Sequence, residues 1–215
     1  MTDAASAWDA EYQTGRYVGE PPIEFVSDIV RTCVPGARGL YIGCGNGRNF
    51  VPLVDAGLDL VGLDISRAAI DALSVRVPGH RLVRGDLSAL EPGESFDAVV
   101  GIQVFQHGTR SEVHAHLRRA QDRVAEGGLF CLRVNAVGSD FWLAHATSEE
   151  HEDGGFTVRY LEGPKQGLDI HFFSRNELAT IFEGWDEALP LRVQSTPRSQ
   201  GSGQWSQWEA IWRRT

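Results

Sequence analysis

Three glycines alternate at positions 43, 45 and 47 in the run Gly39-Leu-Tyr-Ile-Gly-Cys-Gly-Asn-Gly-Arg-Asn49, directly after a short apolar stretch. Glycine tolerates so tight a turn and lets a ligand rest on main-chain atoms. An apolar strand, a glycine elbow and the start of a helix together form a cradle for a nucleotide-type cofactor. Two carboxylates follow in chain order: Asp64 ends Leu60-Val-Gly-Leu-Asp64, and Asp86 sits in Arg84-Gly-Asp-Leu87. A carboxylate at the first place can accept both hydroxyls of a ribose, and one at the second can accept from the exocyclic amine of an adenine. One such group per strand, all on the carboxyl edge, is what an open α/β sheet offers a ligand. Taken singly, Asp64 also reads as a helix cap in competition with Ser66, and Asp86 as a turn residue.

The elbow also discriminates between cofactors. A dinucleotide fingerprint needs G-x-G-x-x-G, with the third glycine allowing close helix packing. Counted from Gly43 and Gly45, that third place is Arg48. The spacing is G-x-G-x-G instead, which argues against NAD.

The elements that must position these groups follow from punctuation and period. Pro21-Pro22 opens a helix over Ile23 to Cys33, which Pro35-Gly36 ends. Strands are expected at Gly39–Ile42, Asp59–Asp64, His80–Val83, Phe96–Ile102 and Leu129–Val134. Helices alternate with them: about Arg48 to Asp55, one capped by Ser66, and an amphipathic one over Arg110–Ala125 with Val113, Leu117, Ala120 and Val124 on one face. Such alternation gives a parallel sheet covered on both faces, a Rossmann-like three-layer α/β sandwich. From Gly138 to Leu168 no period is clear, and this stretch reads as an insertion and a possible lid. A helix over Arg175–Phe182 follows, capped by Ser174. Leu191–Ser195 and Trp205–Arg213, joined by a turn-rich loop, read as a terminal antiparallel hairpin. The expectation is one domain over 1–215, with residues 1–35 covering the cofactor and 138–168 inserted.

Bulk composition narrows the partners. The chain has 215 residues, 42% of them hydrophobic, and a net charge of −9. An acidic chain without a Lys/Arg block is a poor match for nucleic acid or an anionic membrane. No apolar run approaches the roughly 18 residues a membrane span needs. The N-terminus lacks the basic and apolar regions of a secretory signal. Cys33, Cys44 and Cys131 fit neither a disulfide framework nor a zinc spacing, so a reduced cytoplasmic protein is expected. The histidines show no metal-ligand spacing, and no metal is expected. Oligomeric state is not readable.

With these residues in hand, the chain resembles the class I S-adenosylmethionine-dependent methyltransferases over roughly residues 36–135. Gly43-Cys-Gly-Asn-Gly47 matches their first motif, Asp64 the ribose-binding acid and Gly85-Asp86 the adenine-side motif. Phe96-Asp97-Ala-Val-Val matches their fourth strand, and Glu126-Gly-Gly-Leu129 the entry to the fifth. The run Gly43 to Asn49 is especially similar to the tellurite-resistance and thiopurine-type small-molecule branch. The resemblance implies a seven-stranded, mostly parallel sheet with an antiparallel C-terminal hairpin. It implies S-adenosylmethionine as cofactor, held by Gly43, Cys44, Gly45, Arg48, Asp64, Ile65, Asp86, Leu87 and Gln103. It further implies methyl transfer by in-line displacement to an oxygen, nitrogen or sulfur of a small molecule.

One position departs from the family pattern. Two residues before the first glycine the family carries Asp or Glu facing the methionine ammonium, and this chain has Tyr41. A carbonyl near Gly43 or Gln103 is a substitute. In the small-molecule branch N-terminal residues often close over the cofactor. Arg16 could then pair with the methionine carboxylate, and Tyr12 or Trp8 could pack on the sulfonium. A solvated Arg16 and core packing of both aromatics are the competing readings.

His107, in Ile102-Gln-Val-Phe-Gln-His107 after the fourth strand, is the first candidate for a base or acceptor-orienting group. It also reads as a ring that bonds its own loop. His145 and His151 lie in the insertion and read as lid residues or, more simply, as solvated surface, and His114 and His116 carry no expected role. Phe105, Phe141, Trp142 and Tyr160 are candidates for an acceptor pocket. Two other functions fit part of the pattern: a nicotinamide-dependent oxidoreductase and a non-catalytic S-adenosylmethionine-binding module.

Overall fold

A computed structural model describes residues 4–15, 17–141, 143–197 and 203–215. The described elements run in this order: α1 (Ala4–Gln13), α2 (Phe25–Thr32), β1 (Arg38–Ile42), α3 (Phe50–Asp55), β2 (Asp59–Asp64), α4 (Arg67–Arg76), β3 (Leu82–Arg84), β4 (Phe96–Ile102), α5 (Arg110–Gln121), β5 (Val124–Asn135), β6 (His145–Glu150), β7 (Phe156–Tyr160), β8 (Asp169–Phe172), α6 (Arg175–Ile181), β9 (Asp186–Pro197) and β10 (Gln204–Arg213). A 3-10 turn, Leu87–Ala89, follows β3.

Seven strands form one sheet in the order β3-β2-β1-β4-β5-β10-β9. β1 pairs in parallel with β2 and β4, and β10 runs antiparallel between β5 and β9. The chain winds outward from β1 in one direction, then restarts at β4 and winds in the other. That reversal opens a crevice beyond the carboxyl ends of β1 and β4. The expected sheet and its terminal hairpin are both present.

The central strands are buried along most of their length, so their residues alternate between two cores. Leu40, Ile42, Val99 and Phe130 pack with α5 and α6 on one face. Tyr41, Leu60, Val100 and Cys131 pack with α2, α3 and α4 on the other. No helix among the described residues is long and apolar enough to cross a membrane.

The stretch 138–168, expected as an insertion without clear period, carries two regular strands, β6 and β7. β6, β7 and β8 form a second, antiparallel sheet around Val158, Ile170 and Phe172. β6 reads His-Ala-Thr-Ser-Glu-Glu and is almost wholly exposed, so it carries no apolar alternation to betray it. The accessory sheet continues into the loop after β4. His107 bridges Ile170, Gly108 N donates to the Asp169 carbonyl and His171 N to the Gln106 carbonyl. Residues 106–108 thus lie beside β8 through an isolated antiparallel bridge.

A buried ion network closes the C-terminal edge. Arg133 on β5 donates to Glu209 on β10 at 2.8 Å, and Arg192 on β9 meets the other Glu209 oxygen at 2.9 Å and Asp28 on α2. Glu209 is 3% exposed and Arg133 7%. Removing one partner of a buried pair strands the other charge in a low dielectric. Glu209→Ala is expected to cost about 3–5 kcal/mol of stability, measured by urea unfolding; a loss below about 1 kcal/mol would show the pair to be solvated.

Candidate cofactor and acceptor site

Beyond Ile42 the elbow turns through three residues in the left-handed region: Gly43, Gly45 and Gly47, with φ of 70°, 54° and 93°. A Cβ on Gly43 would meet Val104 at 2.8 Å, and one on Gly45 would meet the Tyr12 hydroxyl at 2.5 Å. The elbow is fastened from β2. The Asp64 carboxylate accepts from Gly45 N at 2.8 Å with one oxygen and from Ser66 N at 2.9 Å with the other. Burial pushes the Asp64 pKa up, against these main-chain donors. Ser66, not Asp64, caps α4, accepting from Ala69 N.

The elbow borders a cavity of about 300 Å³ at the β1/β4 reversal. Gly43, Cys44, Gly45, Arg48, Asp64, Ile65, Asp86, Gln103, His107 and Tyr12 all line it. Leu87, expected beside an adenine, does not: it is 1% exposed, packed in the core beneath the 3-10 turn. Its neighbour Asp86 caps that turn through Ser88 N and Oγ, which hold its pKa down. Arg16 lies outside the described residues. Arg48 lines the cavity while its guanidinium reaches the Pro21 carbonyl at 2.7 Å and Glu20 at 2.9 Å. Cys44 is buried and its thiol pKa is raised by burial, so it serves as a small apolar wall.

α1 covers the mouth. None of its residues is buried, yet Asp9 accepts from Ser66 Oγ at 2.5 Å and Ala68 N at 3.1 Å. Trp8 stands edge-on to His107, with centroids 5.1 Å apart. Tyr12 lies over the elbow, and burial beside Asp64 raises its phenol pKa. Tyr41 also lines the cavity as a neutral phenol, its pKa pushed up by burial against a hydrogen bond with Asn49. Gln103 adopts φ 57°, a strained conformation for a side-chain-bearing residue, at the end of β4.

His107 is neutral in this setting. Burial and then the nearby charge of Lys165 lower its pKa to about 3, against a bond to the Gln103 carbonyl. Its Nδ1 is buried and has no hydrogen-bond partner. His116, which had no expected role, also lines the cavity beside Asp86, and burial lowers its pKa to about 4. Its spacing on α5 carried no signal, because Asp86 is distant in sequence. Asp9 was likewise invisible, since only tertiary packing brings it to Ser66. The aromatic expectation is corrected. Phe105 packs against Phe130 in the main core, while Phe141 and Tyr160 pack in the accessory core. Trp142 lies outside the described residues. Trp8, Tyr12, Tyr17 and Tyr41 form the aromatic wall instead.

The histidines also assemble where no spacing foretold it. Glu149, His151 and His171 bring one possible ligand atom each within 4.8 Å of one another. His151 is therefore not a plain surface residue. His114 bonds the buried Glu177 carboxylate at 2.5 Å.

The sheet order, the reversal and the elbow define the fold of the class I S-adenosylmethionine-dependent methyltransferases. Residues 40–128, from β1 into β5, match the family described as methyltransferase domain. The ubiquinone biosynthesis O-methyltransferase of Bradyrhizobium sp. (strain ORS 278) is 32% identical over 136 residues, covering 54% of this chain and 52% of that protein. The chain spans about half the length of the curated relatives of that name. Among solved structures, TehB from Haemophilus influenzae superposes with a TM-score of 0.67 at 18% identity, covering 95% of this chain and 66% of that one. The 1,6-didemethyltoxoflavin-N1-methyltransferase of Burkholderia thailandensis, with bound 1,6-didemethyltoxoflavin and S-adenosylhomocysteine, gives 0.70 at 19% identity, covering 98% and 87%.

The depressed imidazoles make a pH prediction. Their folded pKa values lie below the ordinary 6.5, so the unfolded chain binds more protons between about 6.5 and about 3 to 4. Their contribution to stability is present above pH 6.5 and is lost as pH falls through that window. Imidazole NMR is expected to show neither His107 nor His116 titrating between about pH 5 and 8; a midpoint near 6.5 for either would contradict their burial.

Proposed function

We propose that this chain transfers a methyl group from S-adenosylmethionine to a small-molecule acceptor. One observation carries the reading: the glycine elbow and Asp64, fastened to each other, share a cavity at the sheet reversal with an aromatic cover. The residues fit the cofactor. Main chain at Gly43 to Gly45 makes a cradle that side chains would fill. Asp64 would take the ribose hydroxyls, with Ile65 beside it, and Asp86 the adenine amine. Gln103 and main chain near Gly43 would hold the methionine end, which Tyr41 meets with a neutral phenol. Bound there, S-adenosylmethionine would supply an activated methyl: an acceptor lone pair would bond the methyl carbon in line as the carbon–sulfur bond breaks and the neutral thioether leaves.

The chain's own residues then orient and exclude. Trp8 and Tyr12 close the cavity against water and present ring faces suited to a sulfonium. His107, neutral and opposed by Lys165, is poorly placed to end as an imidazolium. We assign it to orienting the acceptor, whose reacting oxygen, nitrogen or sulfur must offer its own lone pair. The match to a methyltransferase domain weighs against the nicotinamide reading. The Bradyrhizobium relative is named for O-methylation and the Burkholderia protein for N-methylation, which supports a small acceptor without choosing its atom.

Calorimetry with S-adenosylmethionine is expected to give one saturable site. Asp64→Ala should weaken it by about 1.5–3 kcal/mol, the range for hydrogen bonds to a charged group, or roughly 10- to 100-fold. A folded protein with no saturable heat would sink the reading, and a thermal shift with NAD alone would select the oxidoreductase. Binding without turnover across a broad acceptor panel would select the non-catalytic module.

A further inference from the structure

We infer that the accessory sheet holds a divalent metal ion, Zn²⁺ by its donor set, between Glu149, His151 and His171. The three residues come from β6, the β6–β7 turn and β8, and none of them lines the cofactor cavity. Their ligand atoms lie within 4.8 Å of one another. Zinc with bonds of about 2.0–2.1 Å would draw them to separations near 3.3 Å, a small closure of the β6–β7 turn.

Proton counting points to a missing cation. His171 is fully buried. Its Nε2 lies 2.9 and 3.1 Å from the two Glu177 oxygens, so against a carboxylate that nitrogen must donate. In the neutral ring Nδ1 is then a bare lone pair, facing Thr157 Oγ1 at 2.9 Å. The same hydroxyl donates to Glu149 at 2.6 Å. One hydroxyl proton therefore serves two acceptors. A third acceptor-capable atom, His151 Nε2, is buried without a hydrogen-bond partner, 3.8 Å from Glu149.

Charge counting agrees. Three carboxylates, Glu149, Asp153 and Glu177, face the Arg110 guanidinium, which bonds Asp153 and Glu177, while His114 also bonds Glu177 and Arg110 N donates to Glu149. Uncompensated negative charge in a half-buried site is costly. With His114, His151 and His171 neutral, two negative charges stay unmatched, which a divalent ion would offset, and imidazole with carboxylate is a zinc-type set. Glu177 behind His171 reproduces the carboxylate–histidine–metal arrangement that fixes a ligand's tautomer. The alternative source of charge is protons on the histidines, and the experiment separates the two.

The chelator-treated full chain is titrated with ZnCl₂ by calorimetry, and with Co²⁺ by visible absorption. One saturable site per chain is expected, with d–d bands of low-coordinate cobalt. His151→Ala and Glu149→Gln should each weaken binding at least tenfold while cooperative thermal unfolding persists. No saturable heat, or equal binding in both variants, overturns the proposal. So does imidazole NMR in which zinc leaves His151 and His171 unmoved and both rings are already protonated at neutral pH.

Discussion

Asp64 is the residue on which the site depends. With two oxygens and two main-chain donors it joins the end of β2, the elbow after β1 and the entry to α4. Ser66, held by that contact, caps α4 and also donates to Asp9 of α1. Elbow, helix and cover are therefore coupled through one carboxylate. Burial makes its charge costly and the amides offset part of that cost, so each group depends on the other for its hydrogen bond.

Around this point the fold separates two kinds of wall. On one side the sheet presents strand ends whose positions are set by continuous apolar burial on both faces. On the other, the accessory sheet captures the loop after β4 by main-chain bonds at residues 106–108. The backbone of that loop, at His107 among others, is consequently placed by main-chain pairing, while the His107 ring also meets Trp8 and the Gln103 carbonyl.

Legibility in the sequence followed the range of the interaction. The central strands were readable because apolar runs and glycine or proline breaks are local signals, and the elbow and Asp64 came with them. β6 was not, because an exposed edge strand shows no periodic burial. The burial of the Leu87 side chain was hidden for a related reason. Its neighbour Asp86 faces the cavity, while the 3-10 turn rotates Leu87 into the core. Asp9, His116 and the grouping of Glu149 with His151 and His171 depend on contacts across the tertiary fold. No spacing within a single strand or helix encodes them. Phe105 illustrates the opposite error: an aromatic residue outside a regular strand still packed inward.

The cover has a kinetic meaning as well. α1 lacks any buried residue and is tied down chiefly at Asp9, whereas the loop opposite it is hydrogen-bonded into a sheet. Under the proposed function α1 is the boundary whose displacement would admit ligands to the cavity, and the rate of that displacement would limit how fast spent cofactor could be exchanged.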